Sequence, residues 1–502
     1  MSTSELLKRV SAKSSKPLIF ILGLAESDDK VSCHYYDPKT LKTIIELEGA
    51  NDITTVKEIS NSVKYSDGKW ELKYTDYVPQ EYPNSVLLLQ VSNLNTDGTI
   101  NLATGREKFI RKELHDKWQN SKVKPGNIII AIAGTTIGLS SIVPDNFPEA
   151  NLNTNLGVMD LKETLLINDT PRHINKEFVV TYLNCSYATV QFRRYGGFRA
   201  GQGGLATGEI KSILIPIPND RIQTDIVNKN HKLKAKIKES VENYNKIIDG
   251  ISTLLESMFP IKCVYPRQNF SIGKPKFDRL DYLYNSRELE SIRSYLNTLA
   301  EEKWVELMSP PIFFDKSRVI SKAKYDSLQY SKFKYIDIDN VDKDIGYIRG
   351  DQEDILLKLP TRARQIMRTN DVLMPSPIGS TKGVIIVPSE YDGQLCSTGF
   401  VQFKNNSYEE ALILFAVLKS TLIQRYLYCV QSGCIQPSVS TKTLINDIVL
   451  PIPIGKYKQE LLAKIKEYVK LAMTLYSQIS IMKQDLIKQF ESDIRLLLSS
   501  GG

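Results

Sequence analysis

Histidine, cysteine and tryptophan are scarce: 502 residues hold four, six and three of them. His34, His115, His173 and His231 stand far apart, with no His-x-x-x-His spacing and no serine or aspartate companions, so ordinary core or surface histidines are expected. Cys33, Cys185, Cys263, Cys396, Cys429 and Cys434 form no Cys-x-x-Cys pair. Cys429 and Cys434 lie close together but lack a second ligand pair, so zinc is a poor reading. Reduced, mostly buried thiols in a cytoplasmic protein are expected instead. The longest apolar runs, residues 17–25 and 411–418, fall far short of the roughly 20 a membrane helix needs, which excludes a spanning segment of that kind. Residues 1–5 carry no basic stretch leading into an apolar one, so a signal peptide is not expected.

Signatures of catalysis are missing too. No Gly-x-x-x-x-Gly-Lys-Ser/Thr occurs, which removes the usual ATP site. Methyl transfer to an extruded adenine calls for a polar residue, two prolines and an aromatic in a row. Ser309-Pro-Pro-Ile312 and Pro375-Ser-Pro377 do not supply them. Gly201-Gln-Gly203 precedes a Pro-x-Pro strand instead of joining a strand to a helix, so it is no dinucleotide fingerprint. Glu209-Ile-Lys211 and Glu301-Glu-Lys303 are acid–lysine triplets of a kind that chance supplies among 57 acids. No catalytic, cofactor or metal residues are expected. The excess of 65 basic over 57 acidic residues permits a nucleic-acid partner without demanding one.

What the chain does have is a duplication. Ile213-Leu-Ile-Pro216-Ile-Pro218 recurs as Ile448-Val-Leu-Pro451-Ile-Pro453, with Pro216 and Pro451 lying 235 residues apart. Asn127-Ile-Ile-Ile followed by Ile142-Val-Pro144 recurs as Asp371-Val-Leu-Met followed by Ile385-Ile-Val-Pro388. Gln90-Val-Ser-Asn93 with Asp97-Gly98 recurs as Asp337-Ile-Asp-Asn340 with Gly346. Three blocks in one order imply two copies of a mixed α/β (α+β) unit. Short β-rich runs lie at residues 86–91, 128–132, 142–143, 372–374 and 384–387. Helical stretches at residues 176–190 and 408–427 precede the double prolines.

After each Pro-x-Pro block the period changes. Leu461, Ile465, Tyr468, Ala472, Leu475, Ile479, Met482 and Leu486 alternate in steps of four and three, which is a heptad seam. Ile226, Leu233, Ile237, Tyr244, Ile247, Ile251, Leu254 and Met258 form the seam of the first copy, interrupted by Asn230 and Ser240. A helix of about 35 to 40 residues runs roughly 50 to 60 Å. Two unrelated amphipathic helices would fit, but two of matched length more plausibly pair antiparallel. The division expected is residues 1–217 for an N-terminal extension with the first unit, 218–260 for the first long helix, 261–455 for the second unit and 456–502 for the second long helix.

The order unit, long helix, unit, long helix resembles the specificity subunit of type I restriction–modification systems. The resemblance rests on Gly126-Asn127 through Gly134-Thr-Thr-Ile-Gly138, Ile142-Val-Pro144, Asn151-Leu-Asn-Thr-Asn155-Leu, and Gly197 through Leu205 with the first Pro-x-Pro block. The second copy is looser, with Gly379-Ser-Thr-Lys-Gly383 and Ser432-Gly433…Gln436 in the matching places. It covers the chain from about residue 60 onward. It implies two target-recognition domains that read the halves of a split site in double-stranded DNA. The paired helices would act as a ruler and dock DNA adenine methyltransferase subunits, with a restriction or translocase subunit as a further partner. Chemistry and its cofactors would belong to those partners. The chain departs from the family in an extra segment before about residue 60 and in an added helix over residues 277–302. Partners could therefore be those of a related phage-defence methylase system.

For DNA contact, Phe192-Arg193-Arg194-Tyr195-Gly-Gly-Phe198-Arg199 interleaves cations and aromatics around glycines. Arginine grips phosphate or guanine in a bidentate way, and glycine lets the backbone approach. Arg193, Arg194 and Arg199 are therefore candidates, with Gln202 beside them. In the second copy Lys332, Lys334, Arg362, Arg364 and Arg368 stand among tyrosines and a phenylalanine, a pattern that fits DNA contact and a solvated face equally well. Ser380, Lys382 and Gln436 are candidates for base edges. Two other classes compete: a stand-alone metal-dependent DNA endonuclease, and a scaffold that has lost DNA reading.

Overall fold

The computed structural model describes residues 37–67, 72–102, 107–196, 198–199, 202–266, 283–310, 315–433 and 437–499. It divides into two compact units, Met1–Lys236 with Met482–Gly502, and Ile237–Ile481.

In the first unit, helix α1 (Pro38–Glu48) starts where the Asp37 carboxylate accepts from the Thr40 amide at 3.0 Å, and Pro38 occupies a first-turn position where no amide is needed. Leu41, Ile44 and Leu47 are its buried stripe. Strands follow at β1 (Ile53–Thr55), β2 (Ser60–Tyr65), β3 (Val86–Leu89), β4 (Lys108–Ile110), β5 (Ile128–Ala131), β6 (Ser140–Ile142), β7 (Ala150–Leu152) and β8 (Leu156–Leu161). The run Ile-Ile-Ile-Ala of β5 is buried throughout, as the continuous apolar composition requires of a central strand. It sits antiparallel between β6 and β8, and β2 extends the sheet beyond β8. A smaller sheet sets β3 antiparallel to β4 and parallel to β7. Helices α2 (Lys176–Leu183), α3 (Ser186–Tyr195) and α4 (Thr207–Lys211) lead to β9 (Leu214–Pro216), which pairs with β1.

The second unit repeats this plan. Helix α6 (Arg287–Glu301) precedes β10 (Val305–Met308). Helix α7 (Lys322–Leu328) leads to β11 (Lys332–Ile336), β12 (Gln352–Ile355), β13 (Ala363–Ile366), β14 (Val372–Pro375), β15 (Ile385–Ile386), β16 (Leu395–Ser397) and β17 (Phe400–Phe403). Helices α8 (Tyr408–Lys419), α9 (Thr421–Val430) and α10 (Thr441–Asp447) then lead to β18 (Leu450–Pro453). Central β14 lies antiparallel between β15 and β17, β11 is antiparallel to β12 and parallel to β16, and β18 pairs with β10. Two small caps are shared as well. The Asn93 and Asn340 side chains accept from the Gln90 and Asp337 amides, and the Asn127 and Asp371 side chains accept from the Lys124 and Arg368 amides. The duplication therefore holds at the level of strand pairing and capping.

Two expectations change. The described part of the segment before residue 60, residues 37–59, and the helix Arg287–Glu301 are not separate additions, while residues 1–36 and 277–282 of those two expected segments lie outside the described residues. In each unit a helix followed by a strand comes first, and that strand pairs with the Pro-x-Pro strand (β1 with β9, β10 with β18). The pairing escapes local motifs because its partners lie about 150 residues apart in the chain. The helical stretches at residues 176–190 and 408–427 are each two helices. Ser420 ends α8 and caps α9 by accepting from the Ile423 amide at 3.3 Å, with a bend of 64°. The Asn184 side chain at the matching break exchanges hydrogen bonds with the Ser140 backbone at 2.8 Å. Apolar α8 is buried all round, as a core helix is. Among the described residues, no single helix is long and apolar enough to cross a membrane.

Helix α5 (Asp220–Ser257) and helix α11 (Gly455–Ser499) each contribute to both units. In the second unit their segments run antiparallel: Tyr244 meets Tyr476 with ring centroids 6.3 Å apart, and Gly250 faces Tyr468. In the first unit the Lys229 ammonium pairs with Asp493 at 3.1 Å, and Ile226 and Val227 share a core with Phe490 and Ile494. The expected seam is found, since Ile226, Tyr244, Ile251, Leu254, Leu461, Ile465, Ala472 and Ile479 are all buried.

Candidate nucleic-acid interface

Each unit builds a matching loop cluster at the C-terminal end of its central strand. In the first unit β5 turns into β6 through Gly134-Thr-Thr-Ile-Gly138, where Gly134 and Gly138 adopt φ of +91° and +88°. Side chains disfavour that left-handed region, and a Cβ at Gly138 would also overlap the Phe192 ring of α3. The turn is thereby seated on the helix that carries Arg193. From the other side, the Leu205 amide donates to the Ile132 carbonyl at 2.9 Å, and Ala133 and Gly204 form a bridge. The Tyr65 hydroxyl donates to the Leu205 carbonyl at 2.6 Å; burial pushes that phenol up to about 12, so it stays a donor at neutral pH.

The second unit assembles the same three parts. Gly379, at φ +87°, opens the Gly379-Ser-Thr-Lys-Gly383 turn, which closes when the Gly383 amide donates to the Ser380 carbonyl at 2.8 Å. The Thr381 hydroxyl donates to the Gln424 side chain of α9 at 2.7 Å, which fixes the turn on the helix. The Ile378 and Val439 amides donate to the Pro437 and Ser376 carbonyls, both at 2.9 Å, so the segment after α9 runs along the strand end. The glycine turn and the later glycine-bearing segment are far apart in sequence in both copies and adjacent in both folds.

The candidate residues divide among these places. Arg193 is exposed on the last turn of α3 and has no ion-pair partner among the described residues. Arg194 is only 7% exposed and lies over the Tyr195 ring at 5.8 Å, so of the two only Arg193 faces solvent. Neighbours on a helix are rotated by about 100°, which is why one of a pair turns inward. Arg199 and Gln202 are cross-strand partners in the small hairpin of Phe198–Arg199 with Gln202–Gly203; their side chains lie outside the described residues. Ser380 is half-buried in its turn and Lys382 is exposed, also without an ion-pair partner among the described residues. Gln436 lies outside the described residues.

The other second-unit candidates surround a different sheet, ordered β12-β11-β16-β13. Arg362 pairs with Asp337, and its Nε donates to the Tyr335 hydroxyl at 3.2 Å; the hydroxyl and the carboxylate together push its guanidinium pKa up. Beyond the other end of β13, Arg368 pairs with Asp392 at 3.2 Å. Backbone donation from Thr369, followed by the arginine, holds that carboxyl below its ordinary range. Lys334 lies 4.0 Å from Asp351 and over the Tyr391 ring, Arg364 stacks on Tyr325 at 4.1 Å, and Lys332 is exposed. What reads in sequence as a basic cluster is largely interleaved with carboxylates. Solvent-accessible pairs of this kind hold by only about 0–1 kcal/mol each.

Sequence reasoning missed two polar features. His115, 2% exposed, lies 2.7 Å from Glu149 through Nε2 and meets the Asn151 side chain through Nδ1, while Lys112 pairs with Glu149 at 2.6 Å. Lys419 buries its ammonium against the carbonyls of Lys343 and Asp344, and burial pushes it down to about 8, with Lys382 nearby adding to the effect. No three His, Cys, Asp or Glu side chains gather as a metal site among the described residues.

No protein-family model matches the chain, and no curated protein matches it. Solved structures similar to it include the S subunit of a type I restriction-modification system from M. genitalium, at 14% identity over 89% of this chain and 94% of that one, with a TM-score of 0.35. A chain from a structure of the type I R-M system solved for complex assembly and conformational transition is 11% identical, over 89% of this chain and 95% of that one, with a TM-score of 0.37. The HsdS subunit from Thermoanaerobacter tengcongensis is 13% identical over 88% and 96% of the two chains, with a TM-score of 0.32.

Proposed function

We propose that the protein is a non-catalytic DNA-sequence-recognition subunit that reads a bipartite double-stranded site, one half with each unit. It would direct DNA adenine methyltransferase subunits, and a restriction or translocase subunit, to that site. The observation that carries the reading is the duplicated loop cluster. Each copy puts a left-handed glycine turn, the helix pair's end and the glycine-bearing return segment together, with an exposed cation in each (Arg193 and Lys382) that has no ion-pair partner among the described residues. A fold that repeats its pairing but varies these loops suits two readers of different sequences, because base contacts specify while the framework only positions. The long helices would set the spacer between half-sites.

Selection of bound sequences from a randomised duplex library, with the full chain alone and with methyltransferase subunits, tests this. Enrichment of two short motifs at fixed separation is expected. Arg193→Ala should blur one motif and Lys382→Ala the other, each by roughly 1–3 kcal/mol at the affected position. A library with no enriched motif, or one motif degraded by both changes, overturns the reading. Cleavage of plasmid by the chain with Mg²⁺ alone would overturn it as well.

A further inference from the structure

One difference between the two units lies between the central sheet's last strand and the helix that follows. In the first unit residues 162–175 connect β8 to α2 and form a β-hairpin, Thr164–Ile167 with Thr170–His173. In the second unit residues 404–407 join β17 directly to α8, and no hairpin is present there. The first-unit hairpin is held at several points, among them the Asp220 carboxylate, which accepts from the His173 amide at 2.9 Å. Arg172 pairs with Asp52 at 3.4 Å, just ahead of β1. The Gln223 side chain, in the first turn of α5, donates to the His173 carbonyl at 2.8 Å and accepts from the Asn175 amide at 3.0 Å. Ile167 is buried in the unit's core.

The strand registers identify the matching positions in the second unit. Asp52 faces Ile217, one residue after Pro216, and Glu306 faces Ile452, one residue after Pro451. Counting on from the same prolines, Gln223 corresponds to Lys458. Glu306 and Lys458 are both exposed, and both line a cavity of about 440 Å³ completed by Met308, Lys404, Ile413 and Ile452. That volume falls in the range of about 300–1,000 Å³ typical of ligand clefts. Glu306 has no hydrogen-bond or ion-pair partner among the described residues. The place filled by a hairpin in one copy is thus an open cleft in the other, with the anchoring carboxylate retained.

We propose that this cleft is a docking site for an extended or hairpin segment of a partner protein. The segment delivers an arginine to Glu306, as Arg172 is delivered to Asp52, and a main-chain carbonyl to Lys458, as His173 is to Gln223. Arginine suits the carboxylate because its planar fork can engage both oxygens. An ammonium at residue 458 serves the carbonyl end of the bond as well as the Gln223 amide does. Ile413 and Ile452 supply the apolar floor for the segment's inward side chain. This surface is separate from the DNA-reading loops, so the inference stands or falls independently of DNA recognition.

The probe is a cyclised, fluorescently labelled peptide with the sequence of residues 162–174, titrated into the full chain. Saturable binding is expected, weakened about tenfold or more by Glu306→Arg. A peptide carrying glutamate in place of its arginine should bind poorly to the parent chain and recover on the E306R chain. Lys458→Gln, which installs the first unit's residue, should bind the parent peptide within a few-fold of the parent chain. Absence of saturable binding, or equal affinity for parent and E306R chains, overturns the proposal. Library selection on E306R should leave the DNA motif unchanged, which separates this failure from failure of the DNA reading.

Discussion

Asn230 is where the physics of the fold makes its sharpest demand. It occupies a seam position of α5, is 2% exposed, and neither its side-chain oxygen nor its nitrogen has a hydrogen-bond partner among the described residues. Its counterpart, 235 residues on, is Ile465, fully buried in α11. An unmade hydrogen bond at a buried polar group costs about 1–3 kcal/mol, and Asn230 leaves two groups unmade. Restoring the sister residue with Asn230→Ile removes that cost and adds apolar contact with Leu486 and Phe490. A neighbouring cavity of about 60 Å³ gives the longer side chain room, so overpacking should take back only part of the gain. The expected net is a stabilisation of about 2 kcal/mol, or about 4–8 °C in Tm at ~2–4 °C per kcal/mol for a unit of this size. Urea unfolding with unchanged m-value, alongside a thermal scan, reads it out. The reverse change, Ile465→Asn, should cost about 3 kcal/mol, since it buries an amide and removes packing. A destabilised or unchanged N230I chain would refute the reasoning, because it would mean that the amide is satisfied and in use.

Gly138→Ala should destabilise the first unit by about 3 kcal/mol through the left-handed φ and the Phe192 ring together, seen as a lower urea midpoint; a neutral result would show that the turn can move off α3. The Lys419 ammonium has its pKa lowered to about 8 in the fold and returns to about 10.5 on unfolding. Below pH 8 both states are protonated and the burial penalty is full, while between about 8 and 10.5 only the unfolded chain holds the proton, so stability rises with pH. Relative to Lys419→Met, the parent chain should gain roughly 2 kcal/mol between pH 7.5 and 9.5, and a flat difference would count against the burial argument. Insertion of one heptad into each long helix keeps the seam in phase and adds about 10 Å of helix. The preferred DNA spacer should then grow by about three base pairs with both half-sites unchanged; a constant spacer would refute the ruler.

Legibility in sequence followed the range of the signal. Elements set by local composition were readable: the apolar run at residues 128–132, the Pro-x-Pro blocks and the seams of α5 and α11. The break between α8 and α9 was not, because Ser420 becomes a cap only once α8 has ended, and serine alone does not end a helix. The inward turn of Arg194 depends on which face of α3 meets the sheet, and the carboxylate partners of Arg362 and Arg368 arrive from residues 25 and 24 positions away. Charge counted along a sequence overstates charge presented in space whenever strands interleave acids with bases. In the second unit three of the five cations of the apparent basic cluster, Lys334, Arg362 and Arg368, face a carboxylate in the fold.

Internal duplication supplies a comparison that a single sequence otherwise lacks. Features kept in both copies, such as the paired caps at Asn93 and Asn340 and at Asn127 and Asp371, each satisfy a backbone donor at the edge of a strand, so any copy that lost them would bury an unpaired amide. Features that differ, such as the hairpin at residues 162–175 against the short link at 404–407, lie where the framework does not need them. Fold stability confines the first group and leaves the second free. Differences such as Ile137 against Lys382 in the glycine turn, or a filled against an open cleft beside Glu306, are therefore the positions at which two copies of one fold can acquire different partners.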